Sequence, residues 1–396
     1  MRIPSPSALL VRGVLPIAMA ARRAGARALV VPEANGHEAA VVEGLTVHAV
    51  RHVAQIVAWA RGQAPLPPLP EAPPVPEPPP TLDLCDVAGQ EVAKRALEVA
   101  AAGGHNLLFF GPPGGGKTML ARRLPGLLPP LDFDEALEAT VVHSVAGLTR
   151  HRGLLTVRPF RAPHHSVSDA GLVGGSSPPR PGEVSLAHHG VLFLDELPEF
   201  RRHVLESLRQ PAEDGEVTLA RAGRSITYPA RFALVAAMNP CPCGHQGDLT
   251  RRCRCTEAEL LKYRRRISGP LLDRIDLQVD VPAVPAAALG AAGSGVSSAE
   301  VRARVARVRT LSAARCAAAR VNARLRGAQL RRHATPDAAG RRILLESMAR
   351  LGLSARAHDK VLRVARTIAD LAGAEAVGQV HVAEAIQYRG LDRSGT

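Results

Sequence analysis

The segment Gly111-Pro112-Pro113-Gly114-Gly115-Gly116-Lys117-Thr118 fits the pattern G-x-x-x-x-G-K-[ST], and the chemistry of that pattern is the enclosure of a triphosphate. Its glycines let successive backbone N–H groups curl inward around phosphate oxygens, and a helix starting where the loop ends aims further N–H groups at the same point. Lys117 is placed to reach the β and γ phosphates and the Thr118 hydroxyl to hold Mg²⁺, with Met119 closing the ATP-binding segment. Farther on, Val191-Leu192-Phe193-Leu194 runs into Asp195-Glu196. An acidic pair closing a strand is often a helix cap or a solvated turn. Behind a phosphate loop it offers Asp195 to the magnesium and Glu196 to polarise the attacking water. Asn239, in Met238-Asn239-Pro240, could orient that water, although Asn before Pro is also a common turn. Arg274 could stabilise transferred phosphoryl charge in a neighbouring subunit, or pair with Asp273, Asp276 or another acid.

These side chains need a scaffold that brings strand ends together. Leu107 to Phe110, Val191 to Leu194 and Phe232 to Ala237 are apolar without alternation, which suits parallel strands covered on both faces. A helix is expected from about Gln90 to Ala102, stopped by Gly103-Gly104. The fold class is therefore α/β, with a parallel-sheet P-loop domain over residues 81–281. Before it, 1–63 mix short β-type runs (Ala28 to Val31, Thr46 to Val50) with helical runs ending at His52 to Arg61, and the proline-dense stretch 64–80 is an extended spacer. After it, 282–299 form an Ala/Gly/Ser/Pro linker and 300–396 an all-α lid. The lid helices are expected at Glu300 to about Leu325, Pro336 to Leu351, Ala355 to Leu371 and Val382 to Tyr388, with Gly327, Gly352 and Gly373 as stops.

Three runs carry a family likeness: Pro159-Phe-Arg-Ala-Pro-His-His-Ser166, Arg180-Pro-Gly-Glu-Val-Ser-Leu-Ala-His-His-Gly190, and Ile267-Ser-Gly-Pro-Leu-Leu-Asp-Arg-Ile-Asp276. With the phosphate loop, the chain resembles the magnesium-chelatase-like AAA+ proteins of the ComM/YifB type. The resemblance implies a hexameric AAA+ ring of identical subunits with a β-hairpin ahead of the Asn239 strand. By matching motif it makes Asn239 the sensor 1 residue, Arg274 the arginine finger, and Arg356, in Ser354-Ala355-Arg356-Ala357, the sensor 2 arginine of the lid. It implies ATP hydrolysis that drives branch migration of DNA in recombination and natural transformation. Such proteins usually begin with a Lon-protease-like domain, of which residues 11–60 match only the last part. The first lysine is Lys94, so these residues hold no Ser-Lys dyad.

Two elements suit DNA as partner. Val217 to Tyr228 alternates about Ala222-Gly223 as a β-hairpin does, with Arg221 and Arg224 flanking the tip. These arginines either grip phosphates in the pore of a ring or are solvated charges on an exposed hairpin. The insert 150–181 adds Arg150, Arg152, Arg158, Arg161 and Arg180. The run Arg302 to Arg332 reads as a basic helix that either tracks a DNA backbone or is solvated. Base stacking is a poor expectation with one Trp, three Tyr and seven Phe, so backbone contact without sequence readout fits better.

Cys241, Cys243, Cys253 and Cys255 make two C-x-C pairs. They could close a tetrahedral structural Zn²⁺ site, or remain reduced thiols or hold another metal. The pairs His164-His165 and His188-His189 have no carboxylate partner evident in sequence, so hydrogen bonding is expected of them rather than a metal. The net charge is +14, with 46 arginines against four lysines. Clustered, reduced cysteines suit the cytoplasm. Arg12 and the prolines at 4, 6 and 16 spoil a leader-like N-terminal patch, and no membrane span is expected. The rival readings are a chelatase-like motor subunit remodelling a protein partner and a nucleotide-switched scaffold. The acidic pair Asp195-Glu196 counts against the scaffold.

Overall fold

The computed structural model describes residues 10–71, 82–149, 153–176, 179–221, 224–247, 251–284 and 295–391. Eleven strands are named in chain order: β1 Ala28–Pro32, β2 Thr46–Val50, β3 Leu107–Phe110, β4 Phe160–Arg161, β5 Gly174–Gly175, β6 Arg180–Pro181, β7 Val191–Leu194, β8 Glu216–Arg221, β9 Arg224–Pro229, β10 Ala233–Met238 and β11 Leu277–Asp280. The central sheet has the order β11-β3-β10-β7-β4, and all its pairings are parallel. The three apolar runs read from sequence form its interior. The edge strands β4 and β11 lacked such a signal: one has two residues, the other alternates.

Leu107, Leu108 and Phe109 of β3 and Val191 to Leu194 of β7 are almost wholly buried. Burying each such side chain is worth roughly 1.5–3 kcal/mol, and this fixes which strand ends lie level. Helix Glu91–Gly103 covers one face and is itself roofed by the lid helices, so the nucleotide domain and the lid share a core. At the N-terminal end of the chain, β1 and β2 pair in parallel beside helix Val14–Arg23. The Gly13 N–H donates to the Ser144 carbonyl, tying that helix to helix Phe133–Ala146. The expected spacer 64–80 lies partly outside the described residues, as does the linker 282–299. Among the described residues, no helix is long and apolar enough to cross a membrane.

The lid departs from expectation in one place. The helix expected from Glu300 to Leu325 is Ser298–Arg315, followed by an extended Cys316, a short turn at Asn322–Arg324 and a new helix, Gly327–Ala334. Gly327 thus opens a helix rather than stopping one. The cause is a buried polar network. Asn322 accepts from Ser312 (3.1 Å) and Arg315 (3.2 Å) and donates to Asp370 (2.8 Å) and Thr367 (3.2 Å). On one straight helix Ser312 and Asn322 would stand ~15 Å apart, so satisfying these groups requires the chain to break.

Several arginines of this segment are spent inside the protein. Arg304 pairs with Glu98 (2.5 Å), Arg309 donates to the Ala101 carbonyl (2.9 Å), Arg302 to Gly126 (3.2 Å) and Arg307 to Leu371 (3.3 Å). Burial pushes the Arg309 guanidinium down to about 10. They join lid to core; the continuous helix expected here is broken, while Arg320, Arg326, Arg331 and Arg332 stay exposed.

Asp370 binds Arg315 (2.5 Å) and Arg366 (2.8 Å), with its side chain 2 % exposed. Removing its charge leaves two cations uncompensated, which costs on the order of 3–5 kcal/mol when a buried pair is broken. Asp370→Asn is expected to lower the denaturant midpoint of unfolding by that order. Leu345→Ala, at an exposed side chain of the same lid, is expected to stay within about 0.5 kcal/mol of the parent.

Candidate nucleotide site

β3 ends at Phe110 and the glycine loop follows it. A Cβ on Gly111 would stand 2.1 Å from the carbonyl oxygen of Val281, which follows β11, so only glycine lets the loop leave the sheet this close to its neighbour. The loop turns into a short helix, Lys117–Ala121, whose first-turn N–H groups have no intrahelical partners. These N–H groups, the Lys117 ammonium and the Thr118 hydroxyl are the donor and ligand set that a Mg-triphosphate requires.

Sheet register assembles the rest. β10 lies between β3 and β7, with Phe110 level with Met238 and Leu194 level with Ala236. Loops from all three strands therefore meet at one edge, the place where open parallel sheets bind ligands. The Thr118 hydroxyl stands 2.6 Å from the Asp195 carboxylate. The Lys117 ammonium is folded onto the Gly111 and Pro112 carbonyls (2.7 and 2.8 Å) and reaches Asn239 Oδ1 at 3.3 Å. Burial lowers its pKa, opposed by the charges of Asp195 and of Asp280 at the end of β11. Burial in turn raises Asp280. Phosphate oxygens would replace carbonyls as the partners of a cation already held in place. Met119 is 39 % exposed at the loop's outer side.

Glu196 has φ 53, in the left-handed region that side chains other than glycine seldom occupy. Its N–H donates to the Asp195 carboxylate (3.0 Å), and its carbonyl accepts from the Glu199 N–H (2.8 Å). The peptide is pinned on both sides, and the side chain is exposed, with His165 Nδ1 at 3.3 Å from its carboxylate.

Arg274 and Arg356 do not approach this loop. The Arg274 carbonyl accepts from the Asn106 side chain, and Asn106 precedes β3, so both arginines lie at the other end of a strand ~13 Å long. Arg356 pairs with Asp273 (3.1 Å) and Arg274 with Glu213. Together with Arg231, Arg324, Lys360 and Arg363 they line an open cavity of ≈ 700 Å³. The acid pairing that the sequence left open for Arg274 is thus present, with Glu213 as partner.

Several neighbours of the site were not read from sequence. The Gln90 side chain donates to the carbonyls of Gly115 (3.0 Å) and Pro282 (2.6 Å), tying the glycine loop to the segment after β11. Asp-Val-Ala-Gly-Gln ahead of a helix was its only signal. The histidine pair of the second run does have a carboxylate partner. Glu138 accepts from His188 Nε2 (3.0 Å) and His189 Nε2 (2.7 Å). His188 Nδ1 already accepts the Arg231 N–H (3.0 Å), so the proton of the neutral ring sits on Nε2, the nitrogen facing Glu138, and is not displaced by a metal at low cost. Burial holds that ring neutral, down to about 4. The expectation of hydrogen bonding at this pair stands.

Arg158 donates to the Pro129 and His189 carbonyls (2.6 and 2.8 Å) and pairs with Glu135 (2.7 Å), while Arg161 forks onto Glu183 at 2.6 and 2.7 Å. Both pair with acids of their own domain; Arg158 is buried, which removes it from the channel-lining expectation, while Arg161 is half-buried and Arg180 exposed. Arg150 and Arg152 lie outside the described residues. The hairpin β8–β9 forms with Val217 opposite Tyr228 and Arg221 opposite Arg224. Its tip, 222–223, lies outside the described residues.

The four cysteine sulfurs all lie within 4.8 Å of one another. Cys241–Cys243, Cys241–Cys253 and Cys243–Cys253 measure 3.4, 3.7 and 3.6 Å. Four Zn–S bonds of ~2.3 Å at tetrahedral angles put sulfurs ~3.8 Å apart, so the donor set fits such an ion. Backbone N–H groups of Arg254 and His245 hold the Cys243 thiol below its ordinary value, while burial and the neighbouring thiols raise Cys241 and Cys255. The cluster abuts the phosphate loop, since a Cβ on Gly244 would meet Pro113 at 2.8 Å.

A parallel sheet in this order, a glycine loop after β3, an acidic pair ending β7 and an amide ending β10 define a P-loop protein of the AAA+ class. Residues 83–289 match the family model of magnesium chelatase subunit ChlI, and 295–389 match that of its C-terminal region. Competence protein ComM of Haemophilus influenzae is 45% identical over 387 residues, covering 97% of this chain and 75% of its own length. YifB of Salmonella typhimurium is 45% identical over 384 residues, with the same shares. The magnesium-chelatase 38 kDa subunit of Rhodobacter capsulatus is 33% identical over 183 residues, 41% of this chain and 50% of that one. The chain belongs to the magnesium chelatase family of AAA+ ATPases and is of the ComM/YifB type.

Lys117→Ala is expected to abolish ATP binding, because a neutral methyl leaves the phosphate charge without its counter-ion. Glu196→Gln is expected to bind ATP as the parent does and to lose turnover by at least about 100-fold, the usual worth of a positioned base. Nucleotide titration calorimetry and steady-state turnover separate the two. ATP binding retained by Lys117→Ala, or turnover retained by Glu196→Gln, would refute the assignment.

Proposed function

We propose that the chain is the subunit of a ring-forming, ATP-driven motor acting on DNA, a branch-migration helicase serving homologous recombination and DNA uptake. The placement of Arg274 with Arg356, a strand length from their own Lys117, carries the reading. A site missing its cationic partner on one face, in a molecule presenting that partner on the other, is completed head to tail by further copies, and such contacts close into rings. In the ring Lys117, Thr118, Asp195, Glu196 and Asn239 come from one subunit and the two arginines from the next. Mg²⁺ held by Thr118 and Asp195 supplies charge neutralisation on the phosphates.

DNA as the partner is supported by the hairpin β8–β9, whose Arg221 and Arg224 are cross-strand neighbours at its tip. The Tyr228 hydroxyl bonds to the Pro179 carbonyl (3.1 Å), joining it to the insert. The competence role named for the relative in Haemophilus influenzae points the same way. The similarity to a subunit of magnesium chelatase favours a second reading, a motor that remodels a protein partner. The four cysteines hold a structural zinc that stiffens the loop against Pro113.

ATP turnover with no DNA, linear duplex, single strands and four-way junctions tests the DNA reading. Stimulation is expected, strongest with the junction, and Arg221→Ala/Arg224→Ala is expected to lose most of it. Indifference to every DNA would favour the protein-remodelling reading. Mixing Lys117→Ala with Arg274→Ala, each inactive alone, is expected to restore part of the turnover, since some interfaces then carry both intact halves; no recovery refutes sharing. Elemental analysis is expected to find about one zinc per chain, lost in Cys253→Ser. Metal-free, folded parent protein refutes the zinc.

A further inference from the structure

Arg274 stands on a loop between the short helix Gly269–Leu272 and β11. Its side chain donates to the Arg209 and Pro270 carbonyls (3.2 and 2.8 Å) and pairs with Glu213, so where the guanidinium points depends on where the loop's backbone lies. Asn106, ahead of β3, secures one part of that backbone. Its side chain donates to the Arg274 carbonyl (2.8 Å), and its carbonyl accepts the N–H groups of Asp276 and Leu277, both at 3.0 Å. The lid supplies the remaining holds. The Lys360 ammonium donates to the Ile275 carbonyl (3.3 Å) and reaches the Leu272 carbonyl at 3.5 Å, and Arg389 donates to Ile275 as well (3.1 Å). Leu272 and Ile275 bracket Asp273 and Arg274.

Lys360 is only 4 % exposed, and a buried ammonium is unfavourable unless it is paired. Its counter-charge is Asp276. Burial would push that carboxylate up, but the hydrogen bond and charge of His105 together with the charge of Lys360 hold it below its ordinary range. Arg356, Lys360 and Thr367 share one face of helix Ala355–Leu371. Arg356 pairs with Asp273 (3.1 Å), and the Thr367 hydroxyl lies 2.8 Å from His105 Nε2, whose Nδ1 is 3.5 Å from Asp276. One helix of the lid thus grips the Arg274 loop along three of its turns, and Lys360 is the central grip.

We infer that Lys360 is a positioning residue that fixes the backbone of the Arg274 loop, so that the guanidinium meets the phosphates bound by the next subunit. The inference rests on the reading of Arg274 as completing a neighbour's site.

The test measures kcat by steady-state turnover and ATP affinity by calorimetry for Lys360→Met and Lys360→Arg in the full chain, alone and in mixtures. Lys360→Met is expected to lower kcat at least about tenfold, since a misplacement of ~1 Å can cost about a hundredfold, and to bind ATP as the parent does. Lys360→Arg keeps a cation for the same carbonyls and is expected to retain most of the turnover. Mixed with Lys117→Ala, whose Arg274 loop is intact, Lys360→Met is expected to regain turnover; mixed with Arg274→Ala it is expected to regain none. Parental turnover or weakened ATP binding in Lys360→Met overturns the inference, and so does recovery with Arg274→Ala. A loss that arginine does not rescue overturns the role of the cation. Where Lys360→Met does not fold, Lys360→Gln is read by the same two mixtures, and parental turnover in that variant is equally fatal. If Lys117→Ala and Arg274→Ala do not restore each other, the shared site falls and the inference with it; if they do while Lys360→Met fails with Lys117→Ala, only the positioning role falls.

Discussion

The Thr118 hydroxyl and the Asp195 carboxylate stand 2.6 Å apart although 77 residues separate them in the chain, and everything else in the molecule is arranged so that they can. β3 and β7 are not neighbours. Their ends meet only because β10 holds each in register, and that register holds because the side chains between them are apolar and buried. A slip of one residue would exchange the faces of a strand and carry Asp195 away from the hydroxyl. The magnesium site is therefore a property of the sheet before it is a property of its own residues.

Parts of this were legible in the residues. The glycine loop, the acidic pair and Asn239 announce themselves because each motif is short and its residues are neighbours in sequence. The uninterrupted apolar runs of β3, β7 and β10 give the sheet's interior. What could not be read depends on distant partners. Glu138 lies 50 residues from His188, and His165 meets Glu196 only through the pairing of an edge strand two residues long. Asn322 breaks a pattern that is helical by composition because its amide satisfies groups on two other helices. For Arg356 the motif supplied an identity but not an address: the lid sits against helix Glu91–Gly103, and that docking carries Arg356 to Asp273 instead of to Lys117.

The surplus of positive charge invites a reading that the fold corrects. Residues 300–350 carry thirteen arginines, yet several are committed to carbonyls and acids between lid and core. An arginine-rich chain with four lysines uses the guanidinium as a strut, since its planar fork can satisfy several carbonyls at once where an ammonium cannot. The case for a nucleic-acid partner thereby narrows from the whole of this segment to its exposed arginines and the hairpin β8–β9.

That narrowing has a mechanical consequence. If the polymer engages β8–β9, force has two ways into the ATPase domain: through Tyr228 and Pro179 to the segment that follows β4, the edge strand, and along the chain from β9 into β10, the central strand. The edge is the sheet's most compliant member, because β4 has a single neighbour and only two paired residues. β10 is held on both sides, by β7 and β3, and the residue after it, Asn239, stands 3.3 Å from the Lys117 ammonium. The hairpin therefore bears on two places, the compliant edge beside the acidic pair and the strand end that faces the phosphate loop.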